Sequence, residues 1–345
     1  MQAKTEADTR LDPFAVGKRA AVGATRGGRV ESEHFVCFAA CRPDGSLVAC
    51  SGDVERQLFM RSSAKPLIAA VAVAGGAYER FGLTDVELAV ATGSHSGEPY
   101  HVEAVRGMLR KIGLGEDALQ CGAHPPLHAP SAAELTRAGV KPGAIHNNCS
   151  GKHAGILALA MHRGADPAGY LLPDHPAQVE ILNGCAELLA LARSEVAIGI
   201  DGCGIPAIAV GLRKAATFFA KLADPALFGA HWEPAVRRVR DAMRAHPDYV
   251  AGSARFDTTL MRVASGSVVC KGGAEGYHAS AALEKRLGIC VKVADGNPRA
   301  TSPFVVGELQ ALGVLDEAQA AQLEAYRITP ILNHAGTRVG DVRRI

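Results

Sequence analysis

Aromatic side chains are scarce in this 345-residue chain, at 5% with a single Trp, and no dense basic run occurs. Lys and Arg (37) nearly balance Asp and Glu (35), for a net charge of +2. A chain with few rings to stack on bases and no positive face is not built for nucleic acid. Long apolar runs are missing too. The greasiest stretches, residues 67–77 and 196–212, are short or broken by Gly, Pro and Asp201. Neither reaches the roughly 18 apolar residues of a membrane span. The first thirty residues carry scattered charges and no apolar segment of the kind a secretory signal requires, so a cytoplasmic protein is expected. Residues 1–20 read as a poorly ordered start. No CxxC pair, internal repeat or low-complexity tract occurs. The nine widely spaced cysteines are therefore read as reduced thiols, mostly buried, with one or two available to a metal.

What is present is ordinary globular material, 48% hydrophobic and 21% charged, in a chain long enough to bury a core and hold a cleft. Arg26-Gly27-Gly28 reads as a turn. Residues 35–40 and 46–51 flank Arg42-Pro43-Asp44-Gly45, which predicts a hairpin. A helix is expected to open at Ser62 and run to about residue 75, with Pro66 tolerated in its first turn. Helical stretches follow at 100–112, 152–163, 176–193 and 234–245. Strands return at 267–270 and 288–293, then a helix at 302–312 and a last strand at 337–345. The expected fold is α/β: a mixed, largely antiparallel sheet from N- and C-terminal strands in a single domain, 21–345. A mainly helical insertion occupies about 66–260.

Five segments carry chemistry. In Arg61-Ser62-Ser63-Ala64-Lys65-Pro66, Ser62 and Lys65 stand three apart on one helix face, where a neutral lysine could take the serine proton. Ser94-His95-Ser96 follows an apolar run, and Lys271-Gly272-Gly273 ends a strand-like segment. This order resembles the S-x-x-K, second serine and K-T-G elements of penicillin-binding proteins and serine β-lactamases, and it makes Ser94 and Lys271 a second Ser–Lys pair. The second element lacks Asn and the third lacks Thr, so no β-lactam specificity follows.

Asn147-Asn148-Cys149-Ser150-Gly151-Lys152-His153 packs amides, a thiol, an ammonium and an imidazole into seven residues. Gly199-Ile200-Asp201-Gly202-Cys203-Gly204-Ile205-Pro206 sets a carboxylate and a thiol in a rigid turn. Asp201 there could meet a ligand ammonium, and the N–H groups of the turn a carboxylate or amide oxygen. Spacing alone leaves Cys149 and Cys203 as either buried small hydrophobes or metal ligands. His95, His101, His146 and His153 are further candidate partners for a metal.

Together with Arg26-Gly27-Gly28-Arg29-Val30-Glu31-Ser32 and Val269-Cys270-Lys271-Gly272-Gly273, these segments resemble the rhizobial-type, thermolabile L-asparaginase family, asparaginase II. The resemblance implies a serine β-lactamase and glutaminase-like fold, a homodimer, and hydrolysis of L-asparagine to L-aspartate and ammonia. It implies Ser62 and Lys65 as nucleophile and base, with Ser94 and Lys271 as the supporting pair. Arg61, His153, Asp201 and Gly202 would bind substrate, and Cys149, Lys152 and Cys203 would hold zinc. One departure is Asp257, where some relatives carry a third cysteine. The order of roles between Ser62 and Ser94 is open, as is glutaminase or broader amidase activity. So is a non-catalytic amino-acid sensor on the same fold.

Overall fold

In the computed structural model, which describes residues 21–345, the N-terminal turn signals resolve into antiparallel strands. The expected poorly ordered start, 1–20, lies outside the described residues. In chain order the strands are β1 (Val22–Arg26), β2 (Arg29–His34), β3 (Val36–Cys41), β4 (Leu47–Ser51), β5 (Gln57–Phe59) and β6 (Ala197–Ile200). They continue with β7 (Pro206–Gly211), β8 (Val268–Gly273), β9 (Tyr277–Ala282), β10 (Leu287–Val293), β11 (Ile328–Leu332) and β12 (Arg338–Arg344). The β3–β4 hairpin turns where expected: Gly45 sits at φ +84°, and its amide donates to the Arg42 carbonyl.

The strands form three sheets, not the one sheet that strands at both ends suggest: β11-β12-β1-β2, β4-β3-β10-β9-β8 and β5-β7-β6. Every pairing among them is antiparallel. The third sheet forms because the short β5, just before Ser62, needs a partner for its backbone and finds β7, pairing Leu58 with Val210. The helical middle thus contains two strands of its own. Strands β3, β9 and β10 are buried on both faces. That is why they read as apolar runs without alternation.

Helices pack around the middle sheet and close the core. Pro66 lies in the first turn of the helix Lys65–Ala74, as expected, but the preceding Arg61–Ala64 is a separate 3-10 turn. The helix Ser150–His162 crosses close to the helix Asp85–Thr92; a Cβ on Gly151 would lie 2.5 Å from the Val90 carbonyl oxygen. Only glycine permits that approach, and it brings the Cys149 loop against the Ser94 loop.

Candidate active site

The site is built where four backbone segments meet: the 3-10 turn after β5, the loop after Asp85–Thr92, the start of Ser150–His162, and the β6–β7 turn. Arg61 opens the first segment at φ +50°, a left-handed conformation that costs a non-glycine residue free energy. The turn is anchored on both sides. Met60 N–H donates to the Ile208 carbonyl, and Ser63 Oγ donates to the Lys271 carbonyl at 2.6 Å. Ser62 is left half-buried, its hydroxyl without a hydrogen bond among the described residues.

Ser62 faces a cleft of about 670 Å³ shared with Arg61, His124, Asn148, Cys149, Asp201 and Cys203. Arg61 Nη2 pairs with Asp201 Oδ1 at 2.8 Å across its wall. Burial opposes the Asp201 charge, but Lys152, the Gly202 amide and Arg61 outweigh it and hold the carboxyl below its ordinary range. The Gly202 N–H donates to Asp201 Oδ1 at 2.8 Å, and the Asp201 and Gly204 amides are also used within the turn. These N–H groups, expected to meet a ligand, are instead spent in holding the turn.

Lys65 is fully buried and points to three acceptors: the Gly93 carbonyl at 2.5 Å, Ser94 Oγ at 3.0 Å and the Asn148 carbonyl at 3.3 Å. Its i, i+3 neighbour Ser62 is not among its hydrogen-bond partners, which corrects the pairing expected from spacing. A buried amine turns toward the acceptors available to it, and two carbonyls lie on the Ser94 side. Burial first, and Lys152 as a nearby cation, lower its proton affinity. Two N–H groups given to the carbonyls would leave a neutral Lys65 with its lone pair facing Ser94 Oγ.

Lys271 is equally buried but sits on β8. Its Nζ donates to the Gly272 carbonyl at 2.6 Å and lies 3.7 Å from Asp257 Oδ2. No hydrogen bond joins it to Ser94 among the described residues, so the second Ser–Lys pair is also rearranged. Burial lowers its pKa to about 8 despite the attraction of Asp257.

Cys149, Lys152 and Cys203 converge. Lys152 Nζ donates to Cys203 Sγ at 2.8 Å, and the two thiols are within hydrogen-bond reach of each other. The hydrogen bond from Cys203, with the Lys152 and Lys65 charges, draws Cys149 well below the usual thiol range, while Cys203 keeps its proton. Burial pulls Lys152 down, but the adjacent thiolate charge more than reverses it. Two sulfurs and an amine with an open fourth position suit zinc, provided Lys152 gives up its proton. Asn147 fixes this loop: its Nδ2 donates to the Cys121 carbonyl at 2.9 Å, and its Oδ1 accepts from Cys149 N–H at 2.8 Å.

A second set, Asp257, Cys270 and His278, brings donor atoms within 4.8 Å of one another in the core, a composition that could hold a metal ion. As it stands, protons hold it together. Asp257 Oδ2 accepts from Gly272 N–H at 2.7 Å and faces the Lys271 ammonium, and the Cys270 thiol donates to the Asp257 carbonyl at 3.6 Å. A cation would have to displace that ammonium and a thiol that burial keeps strongly protonated.

His153 lies fully buried, with Nδ1 2.6 Å from Tyr170 Oη. Tyr170 Oη already accepts from Gln120 N–H, so it gives its own proton to His153 Nδ1 and leaves Nε2 as the protonated nitrogen. That Nε2 has no protein partner. Of the other histidines, His95 Nε2 is 2.8 Å from Ser150 Oγ and His101 Nε2 is 2.8 Å from the Asp248 carbonyl. His146 Nδ1 accepts from Gly143 N–H. His124, which sequence reading missed, lines the cleft and accepts from Asn148 N–H at 3.0 Å. Nothing in its sequence neighbourhood marks it.

The model of the L-asparaginase II family matches residues 22–344. The chain belongs to the L-asparaginase II family. It is thereby an L-asparaginase, a hydrolase. No curated protein matches it. Among solved structures it is similar to a β-lactamase from Mycobacterium bovis, at 16% identity over 85% of this chain and 95% of that one, TM-score 0.39. It is also similar to a putative β-lactamase from Bacteroides dorei, at 13% identity over 79% and 85%, TM-score 0.41. A third is a protein called Mglu, at 18% identity over 81% and 68%, TM-score 0.36. Among the described residues of this L-asparaginase II member, no helix is long and apolar enough to cross a membrane.

Proposed function

We propose that this L-asparaginase hydrolyses L-asparagine to L-aspartate and ammonia by acyl transfer through Ser62. The observation that carries the reading is an unengaged Ser62 hydroxyl facing a cleft, beside a buried lysine whose other hydrogens are committed to carbonyls. Arg61 and Asp201 supply the opposite charges that an amino acid's carboxylate and ammonium require, with His153 Nε2 as a further donor. Neutral Lys65 takes the Ser94 proton through their hydrogen bond while Ser94 Oγ takes the proton of Ser62, as Ser62 Oγ bonds to the carboxamide carbon. The Lys65 ammonium then protonates the amide nitrogen, the carbon–nitrogen bond breaks and ammonia leaves. Water gives a proton to Lys65 as its oxygen attacks the ester. Ser62 regains that proton and aspartate departs.

Lys271 supplies fixed positive charge next to the serine turn, where the tetrahedral oxyanion develops. When bound by Cys149, Lys152 and Cys203, zinc would supply Lewis-acid polarisation or orientation of the substrate. The family likeness also supports a homodimer. Mass analysis of rapidly quenched protein tests the mechanism: an aspartyl ester on the peptide carrying Ser62 is expected. Turnover with the adduct elsewhere, or retained in Ser62→Ala, would move the nucleophile.

A further inference from the structure

Lys271 is fully buried among cations, which makes its charge a question of what opposes them. Its neighbours come from four elements. Lys65 projects from the helix Lys65–Ala74, Arg255 precedes the helix Phe256–Val263, Asp257 lies in the first turn of that helix, and Cys270 is on β8 itself. Burial, Lys65 and Arg255 all favour the amine, whereas Asp257 and Cys270 favour the ammonium. The Cys270 thiol stays protonated at neutral pH, so it offers no negative charge. Asp257 is the working anion of the set.

The carboxylate is held in place by one hydrogen bond, and His278 stands near it without making another. Gly272 N–H donates to Oδ2 at 2.7 Å, and His278 Nε2, from β9, lies 3.3 Å from Oδ1. A Cβ on Gly272 would sit 3.2 Å from both carboxylate oxygens, so the glycine lets Asp257 rest on the strand. Burial by itself would raise the Asp257 pKa, yet His278, Lys271 and the Gly272 amide keep it far below the usual range. The carboxylate is therefore charged at neutral pH.

We propose that Asp257 is a positioning residue for catalysis: held by the Gly272 amide, it keeps Lys271 a charged ammonium on the strand that anchors the serine turn. The proposal rests on the acyl-transfer reading of the site and adds to it the residue that fixes the charge of Lys271. It also gives the departure at position 257 a function. In this chain the oxyanion-side lysine carries its charge through a carboxylate, so activity should extend to more alkaline pH than with a neutral residue there.

Asp257→Asn and Asp257→Glu proteins, with and without Lys271→Arg, test this through the pH profile of kcat/KM and through NMR of lysines labelled at Cε. The Cε shift reports ammonium or amine whether or not the protein turns over asparagine. Asp257→Asn is expected to move the alkaline limb and the Lys271 titration down by about one pH unit or more, about a tenfold loss of the ammonium form above its pKa. Asp257→Glu should hold both near their wild-type positions, and in Lys271→Arg the limb should no longer respond to Asp257→Asn. Should Asp257→Asn fail to fold, Asp257→Ser, smaller and also neutral, is expected to shift both in the same direction. An unmoved Lys271 titration in a folded variant overturns the proposal. A moved titration without asparagine turnover upholds Asp257 and rejects the hydrolytic reading.

Discussion

Lys65 and Lys271 are the same residue type, equally buried, on either side of one serine turn, and their surroundings differ in kind. Lys65 looks into carbonyl oxygens and a hydroxyl, with another lysine nearby. Lys271 looks at a carboxylate that the Gly272 amide holds still. Burial favours the uncharged form of both; a fixed carboxylate resists it at Lys271, whereas at Lys65 the resisting charge is the Cys149 thiolate. Two lysines of unlike proton affinity in one site can serve as base and as charge, a division of labour set by neighbours and not by residue type.

Replacing each lysine by arginine strains that contrast most. Arginine cannot become a neutral base, so Lys65→Arg should lower kcat by roughly 10²–10⁴-fold. Lys271→Arg keeps the charge and should retain most of the rate, within about tenfold where the larger head group is accommodated. Equal losses in the two variants, with melting temperatures unchanged, would erase the distinction. Cys203→Ser then probes the Lys65 side alone: bound zinc, measured by elemental analysis, should be lost, whereas Cys270→Ser should leave it in place. Zinc that survives Cys203→Ser and leaves with Cys270→Ser would transfer the metal to the Asp257 cluster.

The smallest expected effect is on stability. Lys271 has a folded pKa of about 8, depressed from about 10.4 in an unfolded chain. Between those values the unfolded state binds more protons, so this lysine's contribution to stability rises with pH across roughly 8–10.4 and is flat below. In thermal melts the wild type should therefore gain on Lys271→Met as pH rises from about 8 to 10 and run parallel to it below about pH 8. A wild type that loses ground to the variant as pH rises would show a raised pKa in the folded protein.

Much of this site could be read before any coordinates. The Arg61–Lys65 segment, the Cys149 loop and the Asp201 turn each announced themselves by dense polar chemistry next to a helix or glycines, and each lines the cleft. The hairpin and most helices followed from turn residues and apolar period. What could not be read was who faces whom. Lys65 is three residues from Ser62 but bonds to backbone carbonyls of Gly93 and Asn148, and a carbonyl leaves no mark in a sequence. Asp257 was visible only as a departure; that it meets β8 and β9 depends on strand pairing across the core. The third sheet was hidden for the same reason, since β5 is three residues long and is made a strand by its distant partner.

The central claim, that this site releases ammonia from asparagine through Ser62, is tested most directly by assaying ammonia from L-asparagine and L-glutamine with wild type and Ser62→Ala. One methylene is worth only about 1–3 kcal/mol in a simple pocket, so some glutamine turnover is compatible with an asparagine preference. Wild type is expected to release ammonia faster from asparagine. Ser62→Ala should lose at least about 10³-fold while melting at the same temperature, because the Ser62 hydroxyl supports nothing else. No ammonia from either amide with the folded, zinc-loaded wild type, or undiminished release by Ser62→Ala, would contradict it.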